Sequence, residues 1–213
     1  VSKGEGGDQG AHALRVSIDP TLLAFRQKLT QVGCVFDFSV YSLEKDIDSS
    51  PALHRHALEL FFTEMRERLL EEHREIIEKC PELRGTNFFH LDFDCAAASP
   101  KVLSVEQLRH LLSCTSHSTA KPCLFSSFSE PPHGLATNVD AKDLFNQWCR
   151  ILGLLPVDLP EVIDWVGDFD LEPSRSEWSN YFEAGKEWWG IWCLTVWNPV
   201  TRTLGVLAAS TTD

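Results

Sequence analysis

The stretch from Pro51 to Lys79 constrains the fold more than any other part of this chain. Ser50 offers a side-chain oxygen to the first free amides of a helix, and Pro51 already has the φ of a first helical residue. Cys80-Pro81 ends the run, because proline cannot continue a helix. Leu53, Ala57, Leu60, Phe61 and Ile76/Ile77 give an apolar side that weakens in the middle. There Glu64 and Arg68, Glu71 and Arg74, and Glu75 and Lys79 stand three or four residues apart, the spacing of ion pairs on a solvated face. Such a helix needs a layer to lie on.

The β-prone segments supply that layer. Cys34–Tyr41 is rich in aromatic and β-branched residues, and residues 86–94 (TNFFHLDFD) alternate as a one-sided strand does. Residues 123–128 read as a short strand. Trp188–Trp197 and Thr203–Thr211 are both apolar and are joined by Asn198-Pro199-Val200-Thr201-Arg202, so a terminal hairpin central in the sheet is expected. Further helices are expected from Asp19-Pro20 to the stop at Gly33, from Ser99-Pro100 to about Leu112, and from the Asp140 cap to Gly153. With no internal repeat, the expectation is one α+β domain over residues 16–213, its helices packed on a mostly antiparallel sheet with a C-terminal β-hairpin. A β/α alternation in the first 130 residues leaves a mixed sheet open, and a disordered glycine-rich tail is expected over residues 1–15.

Composition excludes several partners. The chain has 31 acidic against 19 basic residues and a formal charge of −12, the wrong sign for a phosphate-binding surface, so no nucleic acid is expected. No apolar run approaches the roughly 18 residues of a membrane span, and no signal-like apolar stretch opens the sequence. Seven cysteines, at 34, 80, 95, 114, 123, 149 and 193, are odd in number and include no Cys-x-x-Cys. They read as small buried hydrophobes in a reducing compartment, which makes the cytoplasm the expected location.

The motifs that would carry chemistry are incomplete. Gly185-Lys186 lacks both the upstream glycine of a phosphate loop, where Asn180 stands, and the following hydroxyl residue, where Glu187 stands. His73-x-Glu75 with Pro122-Cys123 is one ligand short of a deaminase zinc site, because Ser126 replaces the second cysteine. Cys114, His117, Cys123 and His133 match no common zinc spacing. Asp168-x-Asp170-x-Glu172 begins like a calcium loop, but Pro173 replaces its glycine. Ser126, Ser127 and Ser129 have no signalled base, and Cys95 at a strand end reads as a buried thiol before it reads as a nucleophile served by a distant histidine. No metal and no cofactor is implied.

Two readings remain. If residues 88–94 form a strand, His90, Asp92 and Asp94 share its polar face, an arrangement able to hold a divalent metal or run acid–base chemistry in a hydrolase. The other reading starts from residues 158–183, where eight carboxylates face Arg175 alone, a net −7 of the chain's −12. Trp165, Phe169, Trp178, Tyr181 and Phe182 are interleaved with them in this tryptophan-rich region. Exposed aromatics would anchor a basic protein partner while Asp164, Asp168, Asp170, Glu172 and Glu177 steer it, with Trp178 and Tyr181 among the contacts. The leading expectation is therefore a soluble, non-enzymatic binding protein of the immunity or inhibitor kind, with homo-oligomerisation through the same patch as a further alternative.

Overall fold

A computed structural model of the chain describes residues 14–16, 20–43, 47–85, 88, 90–113, 123–186 and 190–211. The elements are β1 (Leu14–Val16), α1 (Pro20–Gln31), β2 (Asp37–Leu43), α2 (Pro51–Lys79), β3 (Lys101–Val102), α3 (Val105–Leu112), α4 (Leu124–Ser129), α5 (Ala141–Leu152), β4 (Glu161–Asp164), β5 (Ile191–Asn198) and β6 (Thr203–Ser210). The six strands form one sheet in the order β1-β2-β6-β5-β4-β3, and every pairing is antiparallel. The C-terminal hairpin lies at its centre, with β5 and β6 in register from Ile191↔Ser210 to Asn198↔Thr203.

Helices on both faces explain why the hairpin reads as continuous apolar sequence rather than as an alternation. Ile191, Cys193, Trp197, Leu204, Val206 and Ala208 face α2, whose Leu53, Ala57, Leu58, Phe61, Phe62 and Met65 fill that core. Trp192, Leu194, Val196, Leu207 and Ala209 face the opposite way, against α1, α3, α4 and α5. All eight residues of β5 are buried. The result is a single α+β domain of three layers, and among the described residues no helix is long and apolar enough to cross a membrane.

The expected ends of α2 and α5 are present. Ser50 Oγ accepts from Leu53 N at 3.2 Å, and Asp140 Oδ1 accepts from Asp143 N at 3.0 Å. Gly153 closes α5 with a left-handed φ of 77°, a conformation that glycine adopts without a Cβ penalty. The hairpin turn is fastened to that helix end by Asn198, which is fully buried. Its Nδ2 donates to Gly153 O at 3.0 Å and to Asp158 Oδ2 at 2.8 Å, while its Oδ1 accepts from Val200 N and Thr201 N.

Four expectations need correction. Residues 124–129 form helix α4, not a strand: Cys123 Sγ accepts from Ser126 N at the cap, and Leu124 and Phe128, one turn apart, enter the core together. The helix expected from Ser99-Pro100 begins instead at Val105, where Ser104 and Gln107 close a capping box, and Lys101–Val102 pair with β4. Over residues 86–94, Thr86, Asn87 and Phe89 lie outside the described residues, and the remainder holds only an isolated bridge, Phe93↔Ser179. The backbone there is instead clamped by one side chain, since Asn180 Nδ2 donates to His90 O and its Oδ1 accepts from Asp92 N. Finally, residues 1–13 of the expected tail lie outside the described residues, but Leu14–Val16 belong to the sheet.

Candidate functional site

After β4 the chain crosses the α2 side of the sheet as a strap, residues 165–186, built from short 3₁₀ turns. Its aromatic residues point inward. Trp165, Trp178 and Phe182 are buried, and Phe62 of α2 lies at the centre of a ring cluster, 5.0 Å from Trp178, 5.7 Å from Tyr181 and 6.1 Å from Phe182 between centroids. Trp178 Nε1 donates to Trp165 O at 3.2 Å, and the Tyr181 hydroxyl donates to Asp37 Oδ2 at 3.2 Å. Trp178 is therefore a core residue and not the surface anchor expected from the sequence, and half-buried Tyr181 is committed to an internal partner.

The carboxylates divide into those that build the strap and those that face outward. Asp164 Oδ1 accepts from Val166 N and Gly167 N at 3.0 and 2.9 Å, and Asp168 Oδ1 accepts from Asp170 N at 3.0 Å. These are side-chain-closed turns of the kind that Asp favours. Glu172 takes Lys101 Nζ and Arg175 Nη1, each at 3.3 Å. Slight burial opposes its ionisation, yet Lys101 and Arg175 together hold Glu172 below the usual carboxylate range. Asp170 and Glu177 are exposed, and neither carboxylate has a hydrogen-bond or ion-pair partner among the described residues. Leu171, between them in sequence, has 80% of its surface exposed.

Asp164 also borders a cavity of about 420 Å³ between α3 and the sheet. Leu103, Leu111, Trp192 and Leu194 give it apolar walls, and Glu106, Gln107 and His110 of α3 complete the lining with Cys123. The sequence carried one trace of it, Glu106 and His110 one helical turn apart, but nothing in the local pattern places α3 over the end of β4.

His90, Asp92 and Asp94 are exposed and do not converge. Asp94 Oδ1 accepts from Ala96 N. Among the described residues no three of His, Cys, Asp or Glu gather as a metal site, and none of the three lines the cavity at α3 or the two clefts along α2. Of the four residues whose spacing fits no common zinc site, Cys114 and His117 lie outside the described residues, His133 is exposed, and Cys123 is disulfide-bonded. That bond departs from the expectation of free thiols, which holds for Cys34, Cys80, Cys95, Cys149 and Cys193. Burial pushes the thiols of Cys34, Cys95 and Cys149 up to about 12, which opposes formation of a Cys95 thiolate.

Sequence reasoning missed a buried histidine with partners on both ring nitrogens. His54 is fully buried, with Nδ1 at 2.7 Å from Thr195 Oγ1 and Nε2 at 3.1 Å from Ser49 Oγ. Thr195 Oγ1 accepts from Trp165 Nε1 at 2.8 Å, so its own buried proton is assigned to His54 Nδ1. The ring proton then sits on Nε2, facing Ser49 and the Glu161 carboxylate at 3.6 Å. A protonated Nε2 cannot take a proton from Ser49, and the carboxylate lies on the same nitrogen as the serine. This is a structural network without the geometry of a nucleophilic triad.

Compared with models of protein families, with curated proteins and with solved structures, the chain matches none.

Proposed function

We propose that this chain is a binding protein for a basic protein partner, of the immunity or inhibitor kind, and that it engages that partner through the outer side of the 165–186 strap. The observation that carries the reading is the pairing of outward carboxylates with a fixed scaffold. Asp170 and Glu177 have no cation partner among the described residues, Leu171 between them in sequence is exposed, and Trp165, Trp178 and Phe182 root the segment in the core. A surface held in place before encounter loses little conformational entropy on binding, and its charge raises the association rate with a positive partner. The anchor is thus an aliphatic side chain, Leu171, in place of the aromatic ones expected from the sequence.

The test begins with affinity capture and mass spectrometry to obtain the partner. Association kinetics of the purified pair are then measured for the chain and for Asp168→Asn/Asp170→Asn/Glu177→Gln. Three neutralised charges are expected to slow association roughly tenfold at low ionic strength and to flatten its salt dependence. An unchanged rate and an unchanged salt slope would overturn the proposal.

A further inference from the structure

The cavity beneath α3 combines apolar walls with two carboxylates, Glu106 and Asp164, in its lining. Leu103, Leu111, Trp192 and Leu194 offer a volume of about 420 Å³, within the range of sites that hold a ligand group. Glu106 has no hydrogen-bond or ion-pair partner among the described residues. Asp164 commits Oδ1 to two backbone amides and leaves Oδ2 without a partner among them. Arg175 lies near but is engaged elsewhere: Nη1 pairs with Glu172, and Nη2 donates to the main-chain oxygens of Ser99 and Asp164. Two carboxylates beside an apolar hole complement an apolar side chain flanked by cations.

The neighbouring sheet edge has the matching shape. β3 is the last strand in the order, two residues long, and no strand lies beyond it among the described residues. Val102 within it and Val105 at the start of α3 are 58% and 49% exposed. An extended segment laid along an open edge presents every second side chain to the same face. An apolar residue entering the cavity would therefore be flanked on its own face by the residues two before and two after it.

We propose that the cavity under α3 receives a leucine- or methionine-sized side chain of the basic partner, from an extended Lys/Arg-x-Leu/Met-x-Lys/Arg segment whose cations reach Glu106 and Asp164. This deepens the reading of the chain as a binder of a basic protein and rests on it.

The probe is the peptide acetyl-Thr-Lys-Thr-Leu-Thr-Lys-Thr-amide, compared with the same peptide carrying glycine in place of leucine. The full chain is labelled with 5-fluorotryptophan, and the resonance of Trp192 in the cavity wall is assigned with Trp192→Phe. The leucine peptide is expected to shift that resonance and to bind roughly tenfold more tightly than the glycine peptide, the gain that burial of one aliphatic side chain supplies. Leu111→Trp, which fills the cavity, is expected to erase the difference between the peptides; Leu103→Phe serves the same purpose should the first variant fail to fold. Glu106→Gln is expected to weaken the leucine peptide several-fold at low salt. Equal binding of the two peptides with no shift at Trp192, or no binding of either, overturns the cavity assignment. A leucine preference that Glu106→Gln leaves intact overturns its cationic half. The reading of the strap is decided separately, by the Asp168, Asp170 and Glu177 variant acting on the captured partner.

Discussion

His54 shows how one buried side chain ties stability to pH. Burial pulls its imidazole down to about 4, because a charged ring there would lose water. Between that value and the ordinary one near 6.5, the unfolded chain binds a proton that the folded chain does not. Stability therefore falls as pH drops through this window, by about 3 kcal/mol once pH lies below both values, and above pH 7 the group has no effect. Glu64 acts in the opposite sense, since burial raises its carboxyl despite hydrogen bonds from Ser39 and Tyr41. The informative quantity is thus a difference between proteins. Urea unfolding of the chain and of His54→Gln from pH 7.5 to 5 is expected to give a steeper loss of stability for the chain with His54, and parallel pH profiles would refute the assignment. The spacing of His54, Leu58, Phe61 and Met65 at helical intervals was present in the sequence. A polar residue on such a stripe carries no sign of whether its two nitrogens find partners, and those partners, Ser49 and Thr195, lie five and 141 residues away.

Among the elements, sequence signals succeeded where a cap and its helix are adjacent and failed where the pairing was distant. Ser50-Pro51, Asp140 and Gly153 mark their helix ends because the capping atoms bond within three or four residues. Ser99-Pro100 carries the same signal, yet β4 draws Lys101–Val102 into the sheet and the helix waits for Ser104. β4 itself was hidden because Glu161 and Asp164 bracket only two apolar residues, Val162 and Ile163. A direct comparison follows. Ser104→Ala removes an oxygen that accepts from Gln107 N and is expected to cost about 1 kcal/mol in chemical denaturation. Ser99→Ala, whose exposed side chain caps nothing here, should lie within about 0.5 kcal/mol of the parent. Equal losses at the two sites would mean that α3 begins where the sequence suggested.

At the scale of the whole molecule, one sheet separates two cores with different duties. The face bearing α1, α3, α4 and α5 is closed by helices, whereas the α2 face is finished by a strap of turns on which Asp170, Glu177 and Glu183 are exposed. Composition located the charge, but not the orientation of the rings among it. Trp165, Phe169, Trp178, Tyr181 and Phe182 follow neither a two-residue nor a 3.6-residue period, because the strap is neither strand nor helix. Phe62 is the side chain on which the strap is seated, fully buried and within 6.1 Å of Phe93, Trp178, Tyr181 and Phe182 between ring centroids. Phe62→Leu keeps an apolar side chain but loses the edge-to-face contacts, and a cost of about 1–3 kcal/mol is expected. That loss should fall unevenly: hydrogen exchange is expected to quicken across residues 165–186 while the amides of α5, on the other side of the sheet, keep their protection. Uniform acceleration on both faces would show that the two cores open as one unit. A change confined to the strap would show that the acidic surface has a stability of its own. In that case the same variant should slow association with a basic partner without removing a single charge.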